Sequence, residues 1–93
     1  MLQELLVQFE GAVIKEQAVT FAVVIVKSHV LNDHSKASEM IQSFQQQLFG
    51  NIPVVLMAQD ASGVPTYYGR RDISNFLSRV PLHAIPWKKY TIG

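Results

Sequence analysis

The chain reads as a single α+β domain, residues 1–93, in which a small mixed β-sheet packs with two helices in the order strand, strand, helix, strand, strand, helix. Three observations predict this. Apolar residues make up 48% of the chain and charged residues 16%, the composition of a domain with a packed core rather than of a disordered polymer. Two apolar runs, the largely β-branched residues 18–26 and residues 54–58, have almost no polar face and so describe strands covered on both sides. Between those runs, and again after residue 70, apolar residues recur at helical spacing.

The elements follow in order. Leu5, Val7 and Phe9 alternate with Leu6, Gln8 and Glu10, which predicts a half-buried strand that continues to Ile14 with a bulge or bend at Gly11. Lys15, Glu16 and Gln17 are expected to form a polar hairpin turn, and residues 18–26 the central strand. Asn32, Asp33 and Ser35 are competent N-caps for a helix whose stripe is Ala37, Met40, Ile41, Phe44 and Leu48, ending at Gly50. Its opposite face, rich in glutamine, is polar and is expected to face solvent. Pro53 opens a third strand over 54–58, and Asp60-Ala61-Ser62-Gly63 supplies turn chemistry. Thr66, Tyr67 and Tyr68 form a short strand that Pro65 favours at a sheet edge. Ile73, Phe76, Leu77 and Val80 give a second amphipathic helix, stopped by Pro81. The tail from residue 82 holds Pro86, Trp87, Tyr90 and Ile92, too many large apolar groups for a loose end, so it is expected to pack back onto the domain.

A helical crossover between the two apolar strands makes them a parallel central pair, and the short connections on either side make antiparallel hairpins. Both faces of that pair need cover. Helices, the tail or a second subunit can supply it, so a protein partner or a homodimer is part of the expectation.

Several chemistries are excluded outright. Without cysteine there is no disulfide, no thiolate nucleophile, no CxxC redox pair and no sulfur-based zinc site. The phosphate-loop, dinucleotide-binding and nucleophile-elbow patterns are absent, the spacing of His29 and His34 matches no metal motif, and no cofactor or metal is expected. Gly63-Val64-Pro65-Thr66 resembles the glycine, hydrophobe, proline, threonine segment of the thioredoxin-like fold, in which a cis-proline stands beside the active site. The chain departs from that family in lacking CxxC and in the short span between Pro65 and the next helix. Glu4 and Glu10 interrupt the N-terminal apolar run, no basic segment precedes it, and the longest apolar run is far short of the ~20 residues of a spanning helix. The expectation is a cytoplasmic protein with no membrane contact.

Two patches are candidates for function. The carboxyl ends of the parallel strands deliver Ser28, His29, Asn32, Asp33 and His34 from one side and Gln59 and Asp60 from the other, a place where ligands of open parallel sheets tend to lie. Of these, His29, Asp33, His34 and Asp60 are the candidates for acid–base work, although Asp33 and Asp60 are also the residues that any helix cap and turn would use. The second patch comes from charge. Residues 1–69 hold three lysines against six carboxylates, whereas residues 70–93 hold five cations against Asp72 alone. Tyr67, Arg70, Arg71, Trp87, Lys88 and Lys89 interleave cations and aromatics, which suits a phosphate, a nucleotide or single-stranded nucleic acid. No acid, base and nucleophile constellation is legible. The sequence points first to a non-enzymatic binding or interaction domain, with self-association through an edge strand; anion or nucleic-acid binding is the alternative, and a small His/Asp enzyme the third reading.

Overall fold

A computed structural model describes residues 7–16 and 18–92. Strand β1 (Val7–Glu16) turns into β2 (Val19–Ile25). A short helix α1 (Ser28–Leu31) and the longer α2 (His34–Phe44), extended by a π-helical segment Gln45–Phe49, lead to β3 (Val54–Gln59). Then follow β4 (Pro65–Tyr68), α3 (Arg71–Leu77), a 3-10 turn Leu82–Ala84 and β5 (Lys88–Ile92). The five strands form one mixed sheet in the order β4-β3-β2-β1-β5. The crossover through α1 and α2 leaves β2 and β3 parallel, with Ala22 opposite Val54 and Ile25 opposite Met57, and every other neighbour is antiparallel. The fold class is therefore the expected α+β with a parallel central pair.

β2 and β3 are apolar on both faces because both faces are covered from within the chain. On one side Ala22, Val24, Val54 and Leu56 pack under Val30 of α1 and Ala37 and Phe44 of α2. On the other, Phe21, Val23, Val55 and Met57 pack under Ile73 and Leu77 of α3 and Ile85 of the tail. Large exposed apolar side chains among the described residues are scattered: Val13, Leu48 and Val64. The demand for cover that makes a second subunit attractive in the sequence is thus met by the chain's own helices and tail.

Besides the one-turn helix α1, which the two-helix expectation lacks, three elements differ from the sequence expectation. First, the tail does pack back, and it does so as a fifth strand, because Lys88–Ile92 pairs with the first half of β1. Second, Leu48 is 41% exposed although it continues the apolar stripe of α2. Beyond Phe44 the helix widens to a π turn, in which i and i+5 stack; Phe49 therefore takes the inward position and Leu48 rotates out. The segment ends at Gly50 as expected, although at φ 66° and ψ −128° this glycine lies outside the left-handed helical conformation of the usual cap. Third, Lys15 and Glu16 lie in β1 and pair with Thr20 and Val19, so the turn is confined to positions 17 and 18, of which Gln17 lies outside the described residues. The start of the first strand at Leu5 and Leu6 lies outside them as well. Short two-residue hairpins require left-handed backbone, and Ala18 sits at φ 67° with a Cβ that disfavours it. Ala18→Gly is expected to raise stability by about 0.5–1 kcal/mol, read as a shift in the urea midpoint at constant m-value.

Among the described residues no helix is long and apolar enough to cross a membrane. Pro65 opens β4 at the edge of the sheet, where its missing N–H removes no ladder bond that a neighbour would need.

Candidate functional site

The sheet forks at Gly11. This residue is the last partner that β1 shares with β2, opposite Val24, and also the last it shares with β5, opposite Lys88. A Cβ at Gly11 would lie 2.7 Å from the carbonyl oxygen of Val23, so only glycine permits β1 to cross β2 this closely. On the N-terminal side of the crossing the strands separate. β1 continues with β5 as far as Val7 opposite Ile92, while β2 stays with β3, the Val26 N–H donating to the Met57 carbonyl at 2.8 Å.

The β1/β5 ribbon does not swing free, because an aromatic cluster holds it against α2. The Phe9 and Tyr90 rings, opposed across the two strands, stack at 5.3 Å and 14°. Phe44 meets Phe9 at 4.8 Å, and Phe49, carried inward by the π turn, meets Tyr90 edge-on at 5.7 Å. Lys88 lies over the outer ring, its Nζ 5.8 Å from the Tyr90 centroid.

Between the two arms of the fork is a cleft of about 610 Å³. Its apolar walls are Phe9 of β1, Ile25 and Val26 at the end of β2, Val30 of α1, and Met40 and Phe44 of α2. Gln8, Glu10, Lys27, His29 and Lys89 supply its polar groups. A concave, mostly apolar space of this volume with a few polar groups is the usual form of a small-molecule site. A second recess of about 650 Å³, at the C-terminal end of α2, is lined by Gln42, Gln45, Gln46, Gly50 and Asn51 and has no apolar side chain in its wall.

The residues singled out in the sequence are distributed as follows. Ser28, Asn32, Gln59 and Asp60 do meet, around a cavity of about 180 Å³ beyond the ends of β2 and β3. Asp60 is occupied there as a turn residue, its Oδ1 accepting from Ser62 N–H at 2.8 Å and Val64 N–H at 2.9 Å. His29 faces away from that cavity and lines the fork cleft. Asp33 caps α2, accepting from Lys36 N–H at 3.1 Å, and the His34 ring lies 4.9 Å from the Tyr68 ring, whose hydroxyl is 3.1 Å from Ser38 Oγ. His29, Asp33 and His34 thus share no cavity. Among the described residues no three His, Asp or Glu side chains are grouped to hold a metal.

The basic and aromatic residues are also divided. Arg70 and Arg71 follow β4, whereas Lys88 and Lys89 lie on β5, and these are the two opposite edges of the sheet, four strand spacings or about 19 Å apart. Arg70 forms a bidentate pair with Asp72, the shorter bond 2.7 Å, which lowers the Asp72 carboxyl and raises the guanidinium from their ordinary values. Trp87 packs against the core with Phe21 and Val23, and its indole N–H donates to the Leu82 carbonyl at 3.0 Å. Tyr67 packs against the same core; its hydroxyl is buried without a partner, and burial raises its ionisation above the usual tyrosine value.

No family model matches the chain, and no curated protein or solved structure matches it significantly. Any functional reading therefore has to come from the geometry of the cleft. Its residues come from five elements, β1, β2, α1, α2 and β5, and carry no local motif, so Phe9, Lys27, Met40 and Phe44 read in the sequence as strand, loop and core positions. The one signal in the sequence is Gly11, a glycine inside an alternating strand, which marks where the strand bends.

Proposed function

We propose that this chain is a non-enzymatic binding domain that holds a small ligand with an apolar body in the cleft where β1 and β2 part. The observation that carries the reading is the cleft itself: six apolar side chains from β1, β2, α1 and α2 line a ligand-sized space that the helices do not fill, with polar groups confined to five positions. The fork that opens it depends on Gly11, and the aromatic cluster of Phe9, Tyr90, Phe44 and Phe49 holds one bank in place. Rigid walls of this kind favour binding because little side-chain freedom is lost when a ligand enters.

Two other readings receive less support. Phosphate or nucleic-acid binding needs its cations on one surface, and here they occupy opposite sheet edges. Self-association has exposed edges on β4 and β5, but β5 begins with Lys88 and Lys89, charges that discourage strand-to-strand pairing.

Met40 stands half-buried in the cleft wall, so Met40→Trp fills the space with little disturbance to the core beneath it. N-phenyl-1-naphthylamine, an uncharged fluorophore that brightens in apolar surroundings, is expected to saturate the native chain at one equivalent and to lose that signal in Met40→Trp, while the two proteins melt alike. Equal saturation of a folded Met40→Trp variant would place the probe elsewhere and refute the proposal.

A further inference from the structure

The charges around the fork cleft are unequal, and this bears on the ligand's polar end; the inference rests on the cleft being the binding site. Glu10 and Lys89 stand directly opposite each other across β1 and β5, so within the cleft each offsets the other. Lys27, on the opposite bank at the end of β2, is exposed, and the ion pairs among the described residues are confined to Arg70 and Asp72. The Gln8 amide and the His29 ring add further hydrogen-bonding groups on the same two banks. The rim therefore has an excess cation above an apolar floor, and its one carboxylate already faces a lysine.

We infer that the ligand is a single-chain amphiphile with an anionic head, a medium-chain carboxylate, whose hydrocarbon chain lies on Phe9, Val26, Met40 and Phe44 and whose carboxylate sits on Lys27, the cation that Glu10 does not offset. An ammonium head of the same length meets the excess cation Lys27 there, and an uncharged head forgoes the charge-assisted hydrogen bond. The structure offers no comparable arrangement at the glutamine-lined recess, which has neither an apolar floor nor a cation.

The test compares decanoate, decanol and decylamine by calorimetry at low ionic strength, each below its aggregation threshold, on the native chain and on Lys27→Met. Lys27 is exposed, so the variant is expected to melt like the native chain; should it not fold, Lys27→Gln is read in its place. Decanoate is expected to bind about tenfold more tightly than decanol, the size of one charge-assisted hydrogen bond, with decylamine weakest. In Lys27→Met decanoate should fall to within about twofold of decanol, because the head-group contribution has been removed while Glu10 and Lys89 still offset each other. Equal affinity of decanoate and decanol for the native chain, preference for decylamine, or an unchanged decanoate preference in Lys27→Met would each overturn the inference. The neutral naphthylamine distinguishes failure of the head-group assignment from failure of the cleft. If it saturates the cleft while the three amphiphiles fail to bind or bind alike, the head-group assignment falls and the cleft stands; if it too fails to bind, the cleft reading falls with it.

Discussion

Gly11→Val is expected to lower stability by roughly 3 kcal/mol or more, the upper end of what overpacking costs. The new Cβ arrives 2.7 Å from the Val23 carbonyl oxygen, a backbone atom in the neighbouring strand that cannot rotate away, and the Phe9 and Tyr90 rings at 3.5 and 3.6 Å close the remaining space. Either β1 withdraws from β2 or the aromatic pair unstacks, and both outcomes deform the cleft. A urea titration gives the loss directly. Gly50→Ala is the control: its Cβ would meet nothing within 4 Å, and the backbone at φ 66° and ψ −128° alone is expected to cost about 1–2 kcal/mol. Equal losses at the two positions would mean that the crossing at Gly11 is not as close as described.

Leu56→Ala is expected to cost about 3 kcal/mol, within the range for fully buried leucines, and to do so without affecting the cleft. Leu56 is fully buried at the centre of β3, beneath α2 and beside Ala22, Val24 and Val54. It belongs to the same core cluster as Phe44 but is not part of the cleft wall. Its loss should therefore shift the unfolding midpoint while leaving the affinity for N-phenyl-1-naphthylamine close to native, whereas Met40→Trp should do the reverse. Together the two substitutions separate stability from binding.

How much of the fold is legible in the sequence depends on the range of the interaction involved. The parallel pair of β2 and β3 follows from their near-continuous apolar composition, which fits strands buried on both faces. Helix α2 is legible from its cap and stripe, since Asp33 and the run from Ala37 to Phe44 are local signals. The π turn is not, because the choice between Leu48 and Phe49 as the inward residue is made by Phe9 and Tyr90, which lie far away in the chain. The fifth strand is hidden for a similar reason. Residues 88–92 carry two lysines and read as an apolar tail with charges, and only pairing with β1 makes them a strand.

The candidate site shows the same division. Asp33 and Asp60 are recognisable in the sequence as capping and turn residues, and the structure places them in those geometries. The cleft is not visible there, since each of its residues has an ordinary local role and only the fork makes them neighbours. Gly11 alone hints at it. The sequence says that the strand bends at this glycine, but not that its two sides then belong to different partners.

Whether the fork cleft is where this protein binds its ligand is tested most directly by backbone amide chemical shifts during titration with N-phenyl-1-naphthylamine. With the probe seated in the cleft, the largest changes are expected on Gln8, Phe9 and Glu10, on Val26 to Val30, and on Met40 and Phe44, with α3 and β4 unmoved. Changes centred on α3, β4 or the glutamine-lined end of α2, or a saturating probe that leaves residues 8–10 and 26–30 unshifted, would contradict it.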